Sequence, residues 1–322
     1  MLQRCVGATG LKVSRLGLGT LSWGTEIDEP EASDQLRAFV DAGGTLVDTA
    51  AGYGAGASEE LLGRLVHSTV DRDALVIATK AGIDRREGDR RVDVSRRGLL
   101  HSLDRSLRRL ALDHVDLWQL HAWSDDVPID ETLSALDFAV SSGRARYVGV
   151  SNYAGWQTAL VATRQLQAPG RARIASTQVE YSLLQRGIER EVAPAAEALG
   201  VGLMPWAPLG RGVLSGKYRS GIPSDSRAAS SAFERYVGEY LTARSSQIVE
   251  AVVRAAEGLE LSPVQVALAW VRDQPGVAAP IIGARTTAQL LESLSVEEHT
   301  LPDEILDALD DVSAPFVGYP EA

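Results

Sequence analysis

The sequence contains a single cysteine, Cys5, among its 322 residues. One cysteine excludes an intrachain disulfide and leaves no thiolate cluster for a structural zinc ion. Long apolar runs are also missing. Nowhere do about 18 apolar residues follow one another, as a membrane span requires, and the N-terminal segment lacks the uninterrupted apolar core of a signal peptide. We therefore expect a cytoplasmic protein that is neither secreted nor inserted in a membrane.

Positive charge is in the minority. The chain has 32 Lys and Arg residues against 43 Asp and Glu residues, which gives a net charge of −11. This balance disfavours nucleic acids and anionic membranes as the main partners, so any phosphate site must be local. A small-molecule substrate is the partner that we expect, no metal site is predicted, and a homo-oligomer is left open.

Short apolar or β-branched runs recur along the chain, and helical patterns separate most of them. The runs are at residues 15–19, 45–49, 74–80, 115–121, 146–151, 175–180, 201–206 and 278–283. Between the third and fourth runs, Leu99, Leu103 and Leu107 recur at helical spacing. This alternation of strand and helix predicts an α/β fold, a (β/α)8 TIM barrel that forms one domain over residues 1–322.

Two predicted helices begin with recognisable capping patterns. Ser262 precedes Pro263, which predicts a capped first turn for the helix that runs through Trp270. Asp28 is followed by Glu31, a spacing that resembles a capping box.

The interval between Trp206 and the last strand is too long for a simple connection. We expect an extended loop at about residues 207–245. Its small polar stretch, residues 222–232, is either a lid or a passive disordered loop. The chain ends in a tail whose Phe316 and Tyr319 either cover a pocket or tie the terminus down.

A glycine-rich loop, DTAAGYGAGASEELLG at residues 48–63, lies between the second strand and a predicted helix. Its glycines match neither the G-x-G-x-x-G spacing of a dinucleotide fold nor a P-loop. Glu59 and Glu60 in the first turn of the helix favour the helix dipole and would repel a phosphate. The loop is therefore expected to orient side chains, with Asp48 and Tyr53 as the candidates.

Barrel enzymes act at the carboxyl ends of their strands. In this sequence the second, third and fourth strands end at Asp48, Lys80 and His121, and Tyr53 lies in the loop after the second strand. Each residue alone has a structural explanation, as a cap, a solvated strand end, a core histidine or a packing tyrosine. Their placement at three successive strand ends favours one catalytic site.

These four side chains together make a proton donor. A lysine ammonium close to a tyrosine favours the phenolate and lowers the pKa of the tyrosine from about 10 by ~1 to 3 units. Lys80 would act on Tyr53 in this way, and Asp48 would keep the lysine charged. A neutral His121 would hydrogen-bond the same substrate oxygen. Such a set polarises a carbonyl but lacks a nucleophile, and a hydride cofactor would complete the chemistry.

Two later strand ends carry groups that suit a nicotinamide. GVSNY at residues 149–153 and Gln178 offer amides and hydroxyls that could recognise a carboxamide. Trp206 offers a flat surface on which the ring could stack, although core packing would also explain it.

Two further segments suit phosphates. Residues 207–217, APLGRGVLSGK, fail the P-loop spacing, but their glycines allow close backbone approach to a pyrophosphate and Lys217 adds charge. In GARTTAQL, residues 283–290, Arg285 lies next to a helix start, where a further phosphate would be stabilised unless the arginine is simply a solvated turn residue.

Taken together, these segments resemble the aldo-keto reductase family, and more specifically its bacterial and potassium-channel β-subunit branch. The similarity covers essentially the whole chain in order. It implies NADPH-dependent reduction of an aldehyde or ketone to an alcohol, with Tyr53 as the general acid and with Asp48, Lys80 and His121 completing a tetrad. It also implies that NADP(H) is contacted by Gly19, Thr20, Ser151, Asn152, Gln178, Trp206, Ala207, Pro208, Leu209, Gly210, Gly212, Lys217, Gly283, Arg285 and Gln289.

The resemblance also assigns parts of the cofactor. Ser151, Asn152 and Gln178 would bind the carboxamide, Trp206 would stack on the nicotinamide, and residues 207–217 would hold the pyrophosphate. Arg285 with Gln289 would meet the adenosine phosphate. The chain departs from the family's pattern at two positions. Gly283-Ala284 replaces the Lys-Ser phosphate pair of mammalian members, and Ser293 replaces an adenine-contacting asparagine.

Other functions are compatible with the same residues. A regulatory subunit would sense bound nicotinamide with only incidental turnover, as the channel-subunit resemblance permits. A lyase or aldolase would form a Schiff base on Lys80. Trp23 and Trp123 predict an apolar, aromatic substrate pocket, in which a sugar, a polyketide ketone or a simple aldehyde could stack.

Overall fold

The structure is a computed structural model, and it describes residues 1–84, 90–224, 226–230, 234–316 and 318. Its strands, in chain order, are β1 (Gln3–Cys5), β2 (Lys12–Ser14), β3 (Gly17–Gly19), β4 (Leu46–Asp48), β5 (Val76–Ala81), β6 (Ile83–Asp84), β7 (Arg91–Val92), β8 (Val115–Leu120), β9 (Ala145–Ser151), β10 (Ile174–Glu180), β11 (Gly202–Trp206) and β12 (Ile281–Ile282).

Eight of these strands form a closed parallel barrel. Their order is β3-β4-β5-β8-β9-β10-β11-β12, and β12 pairs back onto β3. All of the pairings around the barrel are parallel, so the carboxyl ends of the strands meet at one rim. The (β/α)8 TIM barrel predicted from the alternating pattern is confirmed, and each of the eight predicted runs overlaps a barrel strand.

Helices surround the barrel. They are α1 (Glu29–Asp41), α2 (Ala57–Ser68), α3 (Arg96–Leu110), α4 (Ile129–Ser141), α5 (Gly155–Gln167), α6 (Val192–Leu199), α7 (Glu234–Gly238), α8 (Ala243–Leu259), α9 (Pro263–Arg272), α10 (Thr287–Leu294) and α11 (Asp303–Ser313). The leucines predicted to line one face of a helix, Leu99, Leu103 and Leu107, are buried on α3. Each buried leucine contributes roughly 1.5 to 3 kcal/mol to the core between the helices and the barrel wall.

The amino end of the barrel is closed by a hairpin. Strands β1 and β2 pair antiparallel, and Val6, Leu11 and Val13 pack in one cluster with the barrel residues Leu46 and Met204. Because apolar side chains close this end, a site that needs water and polar groups must lie at the opposite, carboxyl rim.

The two predicted caps have different outcomes. Ser262 and Gln265 form a complete capping box at the start of α9, as predicted. At α1, the Asp28 carboxylate accepts from the Glu31 N–H, but the Glu31 side chain does not return to Asp28. The expected box at α1 is therefore only half formed, because Glu31 accepts from Thr287 of α10 instead.

The segment after Trp206 contains more regular structure than a loop. Between about residues 207 and 245 the chain forms a 3-10 turn at Gly210–Ser215, a second at Arg227–Ala229, and helix α7. The stretch 222–232, expected to be either a lid or a passive disordered loop, lies in part outside the described residues, and Tyr319 of the tail lies outside them entirely. Phe316 is described and is 98% exposed, so it neither covers a pocket nor ties the terminus down. In the part of the chain that the structure describes, no helix has the length and apolar character needed to cross a bilayer.

Candidate active site

Four side chains named from the sequence meet at the carboxyl rim. Asp48 ends β4, Lys80 lies at the end of β5, and His121 directly follows β8. The Lys80 ammonium donates to Asp48 Oδ2 at 2.5 Å, to the Thr49 carbonyl at 2.9 Å and to the Tyr53 hydroxyl at 3.2 Å. The Lys80 ammonium therefore contacts both the Asp48 carboxylate and the Tyr53 phenol.

The four groups are arranged in two levels. Asp48 and Lys80 are each 1% exposed, whereas Tyr53 and His121 are only partly buried above them. The Tyr53 and His121 rings meet edge to face with centroids 5.9 Å apart. The charged pair is therefore shielded from water, and the phenol and the imidazole are the groups that a ligand on the rim can reach.

The neighbours of Lys80 stabilise its protonated, charged form. Burial by itself would lower the pKa of the Lys80 ammonium, but the charge of Asp48, together with the nearby Tyr53, raises that pKa above its ordinary value on balance. A lysine with a raised pKa is protonated at neutral pH. It stabilises a negative charge on a neighbouring oxygen and is a poor amine nucleophile.

The loop that carries Tyr53 has an unusual backbone. Tyr53 begins a 3-10 turn that ends at Gly56, and three successive residues, Gly54, Ala55 and Gly56, have φ values of 53°, 54° and 110°. This left-handed region is accessible to glycine and costly for alanine. The alternating glycines of the sequence thus serve a sharp turn that aims the Tyr53 ring over Lys80.

Further polar groups surround Asp48 beneath the rim. Asp48 Oδ1 accepts from Gln178 Nε2 at 2.9 Å and from Gln119 Nε2 at 3.5 Å. Gln178 was assigned to a carboxamide by resemblance, and in this structure its amide group is directed at Asp48. Gln119 was not singled out from the sequence, although a glutamine within an apolar strand pattern is a signal that the side chain faces a polar barrel interior.

Glu59 lies in the core, although it was interpreted from the sequence as a carboxylate that serves the helix dipole. It is fully buried, its Oε1 accepts from the Thr79 hydroxyl at 2.6 Å, and its Oε2 accepts from Arg109 at 3.1 Å. The interpretation was incomplete because the first turn of α2 faces inward toward β5, where a buried carboxylate requires partners.

Gly19 and Thr20 lie where β3 reaches the rim. Thr20 is fully buried, and its hydroxyl contacts the Asp48 carbonyl at 3.1 Å and the Ser58 hydroxyl at 2.7 Å. At Gly19, a Cβ would lie 2.8 Å from Ile281. The side chain of Thr20 therefore ties β3 to the start of α2, and Gly19 is the residue of this pair that has exposed surface.

The groups assigned to the nicotinamide come together on the rim. Asn152 Nδ2 donates to the Ser151 hydroxyl and to the His121 carbonyl, both at 3.1 Å, and Trp206 Nε1 donates to Asn152 Oδ1 at 3.0 Å. Asn152 and Ala207 have φ values of 59° and 50° at the ends of β9 and β11. These two strand ends lie on either side of β10, and backbone strain of this kind is characteristic of functional sites.

The segment assigned to the pyrophosphate is a tight turn. Gly210, Arg211 and Gly212 have φ values of 55°, 58° and 91°, so successive N–H groups point in unusual directions. A Cβ on Gly212 would lie 3.3 Å from Lys217 Nζ, which places that exposed ammonium beside the turn. Ala207, Pro208 and Leu209 lead into it from β11.

The Arg211 side chain forms ion pairs and hydrogen bonds with other residues of the protein. Its guanidinium pairs with both oxygens of Glu180 at 2.8 and 2.9 Å and with Glu239 at 2.7 Å. It also donates to the Tyr236 carbonyl at 2.6 Å. The arginine thereby fastens the turn to the end of β10 and to helix α7.

The start of α10 holds the residues assigned to the adenosine phosphate. The Arg285 N–H donates to Gln289 Oε1 at 3.0 Å, and the Gln289 N–H donates to Thr286 Oγ1 at 3.3 Å. Gly283 is exposed immediately before this turn. Ser293 is buried, and its hydroxyl donates to the Gln289 carbonyl at 3.0 Å.

A carboxylate already lies at this helix start. Glu31 of α1 accepts from both the N–H and the hydroxyl of Thr287, the latter at 2.8 Å. The hydroxyl hydrogen bond from Thr287 holds the pKa of Glu31 below its ordinary value. The sequence pattern had indicated a helix start open to a phosphate, and the structure adds a negative charge there from a distant element.

The two tryptophans predicted for a substrate pocket have different surroundings. Trp23 is 1% exposed and donates to Gln35 of α1 at 3.2 Å, so it is a core residue in this structure. Trp123 is partly buried and makes edge contacts with Tyr153 and Trp156, at centroid distances of 5.2 and 5.3 Å. Trp123 follows His121 by two residues, and this aromatic cluster therefore lies beside the rim.

Within the described residues, no three His, Cys, Asp or Glu side chains are grouped so that they could hold a metal ion.

Comparison of the sequence with known proteins identifies the family to which this chain belongs. The sequence model of the Aldo/keto reductase family matches residues 15–314. The uncharacterized oxidoreductase YrpG of Bacillus subtilis is 35% identical over 319 residues, covering 95% of this chain and 94% of its own length. L-glyceraldehyde 3-phosphate reductase of Escherichia coli is 34% identical over 302 residues, covering 91% and 87%. A probable voltage-gated potassium channel subunit beta of Oryza sativa is 30% identical over 320 residues, covering 97% and 96%. The chain therefore belongs to the aldo/keto reductase family, and it is an oxidoreductase of this carbonyl-reducing family.

Proposed function

We propose that this protein reduces an aldehyde or ketone to the alcohol with NADPH, and that Tyr53 is the general acid. The observation that carries the proposal is the Lys80 ammonium, which contacts both Asp48 and the Tyr53 hydroxyl at the carboxyl rim. Membership of the family supports the nicotinamide cofactor. We also propose that the protein is cytoplasmic, since its one cysteine, Cys5, is free.

Each rim residue has a distinct role in this chemistry. NADPH, when bound, supplies the hydride that the carbonyl carbon accepts. Tyr53 would give its hydroxyl proton to the carbonyl oxygen, so that the alcohol forms, the cofactor is left oxidised, and Tyr53 is left as a phenolate that regains its proton from water. The Lys80 ammonium stabilises the phenolate from 3.2 Å, and His121, reached from the same side, hydrogen-bonds the substrate oxygen.

The residues present fit a nicotinamide dinucleotide along the rim. Asn152, already aligned by Ser151 and Trp206, offers an amide to the carboxamide, and the Trp206 indole provides a flat surface. The left-handed turn at 210–212 with Lys217 beside it suits a pyrophosphate. Arg285 at the start of α10 suits the 2′-phosphate that distinguishes NADPH from NADH.

Two alternatives are less favoured. A Schiff base needs a neutral amine, whereas Asp48 and Tyr53 keep Lys80 protonated and the barrel keeps it buried. A purely regulatory role is suggested by relatives named as probable potassium channel β-subunits. The assembled contacts of Lys80 favour turnover over sensing, because a sensor of bound nicotinamide requires no proton donor.

The substrate pocket is proposed to be aromatic on one side. Trp123 beside His121 and the 57% exposed Trp156 provide apolar surface on which an aldehyde, a ketone or a sugar can stack. Trp23, which is 1% exposed, presents almost no surface to a substrate in this structure.

Assays with a panel of aldehydes and ketones test the proposal. NADPH oxidation is followed by its absorbance, and cofactor binding is followed separately by fluorescence. Substrate-dependent oxidation of NADPH supports the proposal. Tight NADPH binding without turnover on any carbonyl of the panel would favour the regulatory function, and borohydride trapping of a carbonyl on Lys80 would favour the lyase.

A further inference from the structure

We propose that Arg109 is a positioning residue that holds the backbone of the loop carrying Tyr53. The inference rests on the proposed role of Tyr53 as general acid. Arg109 lies near the end of α3, outside the rim, and it contacts none of the four side chains of the proposed tetrad in the contacts that the structure describes.

The Arg109 guanidinium hydrogen-bonds the loop on both sides of Tyr53. Nη1 donates to the Ala51 carbonyl at 3.3 Å, and Nη2 donates to the Ala55 carbonyl at 3.0 Å. These carbonyls lie two residues before and two residues after the tyrosine. One planar group therefore fixes the distance between the two ends of the segment that aims the phenol.

A buried carboxylate holds the guanidinium in turn. Glu59 Oε2 lies 3.1 Å from Arg109 Nη1, and Glu59 has no exposed surface. Its other oxygen accepts from Thr79, the residue before Lys80. The pair thus connects the loop of the proposed acid to the strand of the lysine that would tune it.

The backbone between these contacts needs such support. Ala55, whose carbonyl Arg109 binds, is a non-glycine residue at φ 54°, and Gly54 and Gly56 beside it are also left-handed. Strained conformations of this kind persist only where surrounding contacts over-determine them. At Gly56 a Cβ would lie 2.1 Å from the Arg109 Cζ, so the guanidinium packs directly against the turn.

This placement predicts a selective kinetic defect. A displacement of about 1 Å in a reacting group costs on the order of a hundredfold in rate. Loss of Arg109 should therefore lower kcat, while the KM for the carbonyl and the Kd for NADPH change little, since Arg109 is remote from the segments assigned to the cofactor. A role in overall stability alone would leave kcat of the folded protein unchanged.

The matched variants are on one helix. Arg109→Met removes the guanidinium, and the neighbouring exposed Arg108→Met removes the same charge without these contacts. Because Arg109→Met leaves Glu59 buried without its ion pair, the double variant Arg109→Met/Glu59→Gln keeps the proposal testable if the single variant fails to fold. Arg109→Lys retains the charge but cannot span both carbonyls.

The expected result is a tenfold to hundredfold fall in kcat for Arg109→Met and the double variant, a smaller fall for Arg109→Lys, and wild-type kcat for Arg108→Met. Amide hydrogen exchange in residues 51–57 should be faster in the Arg109 variants only. Arg109 also lines an open cleft of about 370 Å³ with Ala51 and Ile83. Added ethylguanidinium should therefore restore part of the kcat of Arg109→Ala and none of that of Tyr53→Phe.

A folded double variant with kcat within twofold of wild type would overturn the positioning role, and so would an equal loss in kcat and in NADPH affinity. If the wild type reduces no carbonyl with NADPH, the proposed function fails by itself. Hydrogen exchange then decides the positioning role alone: faster exchange in residues 51–57 of Arg109→Met supports it, and unchanged exchange overturns it.

Discussion

The ammonium of Lys80 lies 3.2 Å from the hydroxyl oxygen of Tyr53 and 4.9 Å from the centroid of its ring. This contact joins a buried, charged lysine to a phenol that a ligand on the rim can reach. It is the relationship on which the proposed chemistry depends, because an ammonium at this distance favours the phenolate that remains after proton transfer.

Replacing Tyr53 by Phe should nearly abolish carbonyl reduction. General acid catalysis is typically worth ~10² to 10⁴ in rate, and phenylalanine keeps the ring while removing the proton. Steady-state assays at saturating NADPH measure kcat, and fluorescence titration should give an unchanged Kd for NADPH. Tyr147→Phe, at the opposite end of the barrel, is the matched control and should keep wild-type activity. Turnover in Tyr53→Phe above about a tenth of wild type would remove Tyr53 from the mechanism.

Replacing Lys80 by Met should move the pH profile of alcohol oxidation to higher pH. Oxidation uses the phenolate as the base, and without the ammonium the pKa of Tyr53 should return toward about 10, the ordinary value of a tyrosine. The measurement is kcat for oxidation across the alkaline range. Lys80→Arg, which keeps a positive charge, should shift the profile less. The same profile in Lys80→Met and in wild type would show that Lys80 does not tune the acid.

The Asp48 and Lys80 pair should stabilise the fold at neutral pH and lose its contribution in alkali. Burial would lower the pKa of Lys80, but Asp48 and Tyr53 raise it on balance, so the folded protein holds this proton more tightly than the unfolded chain. The contribution is then complete below about pH 10.4, the unfolded pKa of lysine, and it declines as the pH rises through the raised folded pKa.

Urea unfolding of wild type and of Asp48→Asn/Lys80→Met measures this contribution. The double variant avoids a lone buried charge, whose cost of roughly 3 to 5 kcal/mol would obscure the comparison. The difference in unfolding free energy should be constant from neutral pH to about pH 9 and should shrink at higher pH. A difference that grows in alkali would show that the sign of the pKa shift is wrong.

Replacing Arg285 by Ala should weaken NADPH and leave NADH nearly unchanged. A charge-assisted hydrogen bond to the 2′-phosphate is worth roughly 1.5 to 3 kcal/mol, or about tenfold to a hundredfold in affinity. NADH lacks that phosphate. Fluorescence titration of both cofactors against both proteins provides the four dissociation constants. Equal weakening of both cofactors would mean that Arg285 supports the loop, and a wild-type preference for NADH would overturn the choice of cofactor.

Glu31 provides a control of opposite sign at the same helix start. Its carboxylate accepts from the Thr287 hydroxyl at 2.8 Å, so a negative charge lies where α10 begins. Glu31→Gln removes that charge and should tighten NADPH by a few-fold at most, as expected for about 0.3 to 1 kcal/mol at a helix terminus, with NADH unaffected.

Much of the fold could be predicted from local sequence because barrel strands and helices have distinct periods. Leu99, Leu103 and Leu107 recur at a helical spacing, and all three are buried on α3. The joint position of Asp48, Lys80 and His121 could also be predicted, since parallel strands bring their carboxyl ends to one rim whatever the helices between them contain. Tyr53 followed because its loop directly continues the first of these strand ends, at Asp48.

The partners of buried polar groups could not be predicted in this way. Glu59 bonds Arg109 and Thr79, and Glu31 bonds Thr287, which is 256 residues away in the chain. Nothing local to either glutamate distinguishes it from a solvated carboxylate at a helix start. The difference arises when neighbouring helices pack and water is excluded, because each buried carboxylate must then take whichever donor the tertiary structure brings within reach.

Tertiary packing also decided the different surroundings of the two tryptophans. Sequence alone determined that Trp23 and Trp123 follow barrel strands, and that residues 207–217 and Arg285 follow the last two. Only the packing of α1 decided that Trp23 is buried against Gln35, while Trp123 stays beside the rim. Strand order is a property of local pattern and chain connectivity, whereas the exposure of a single side chain depends on which helix finally covers it.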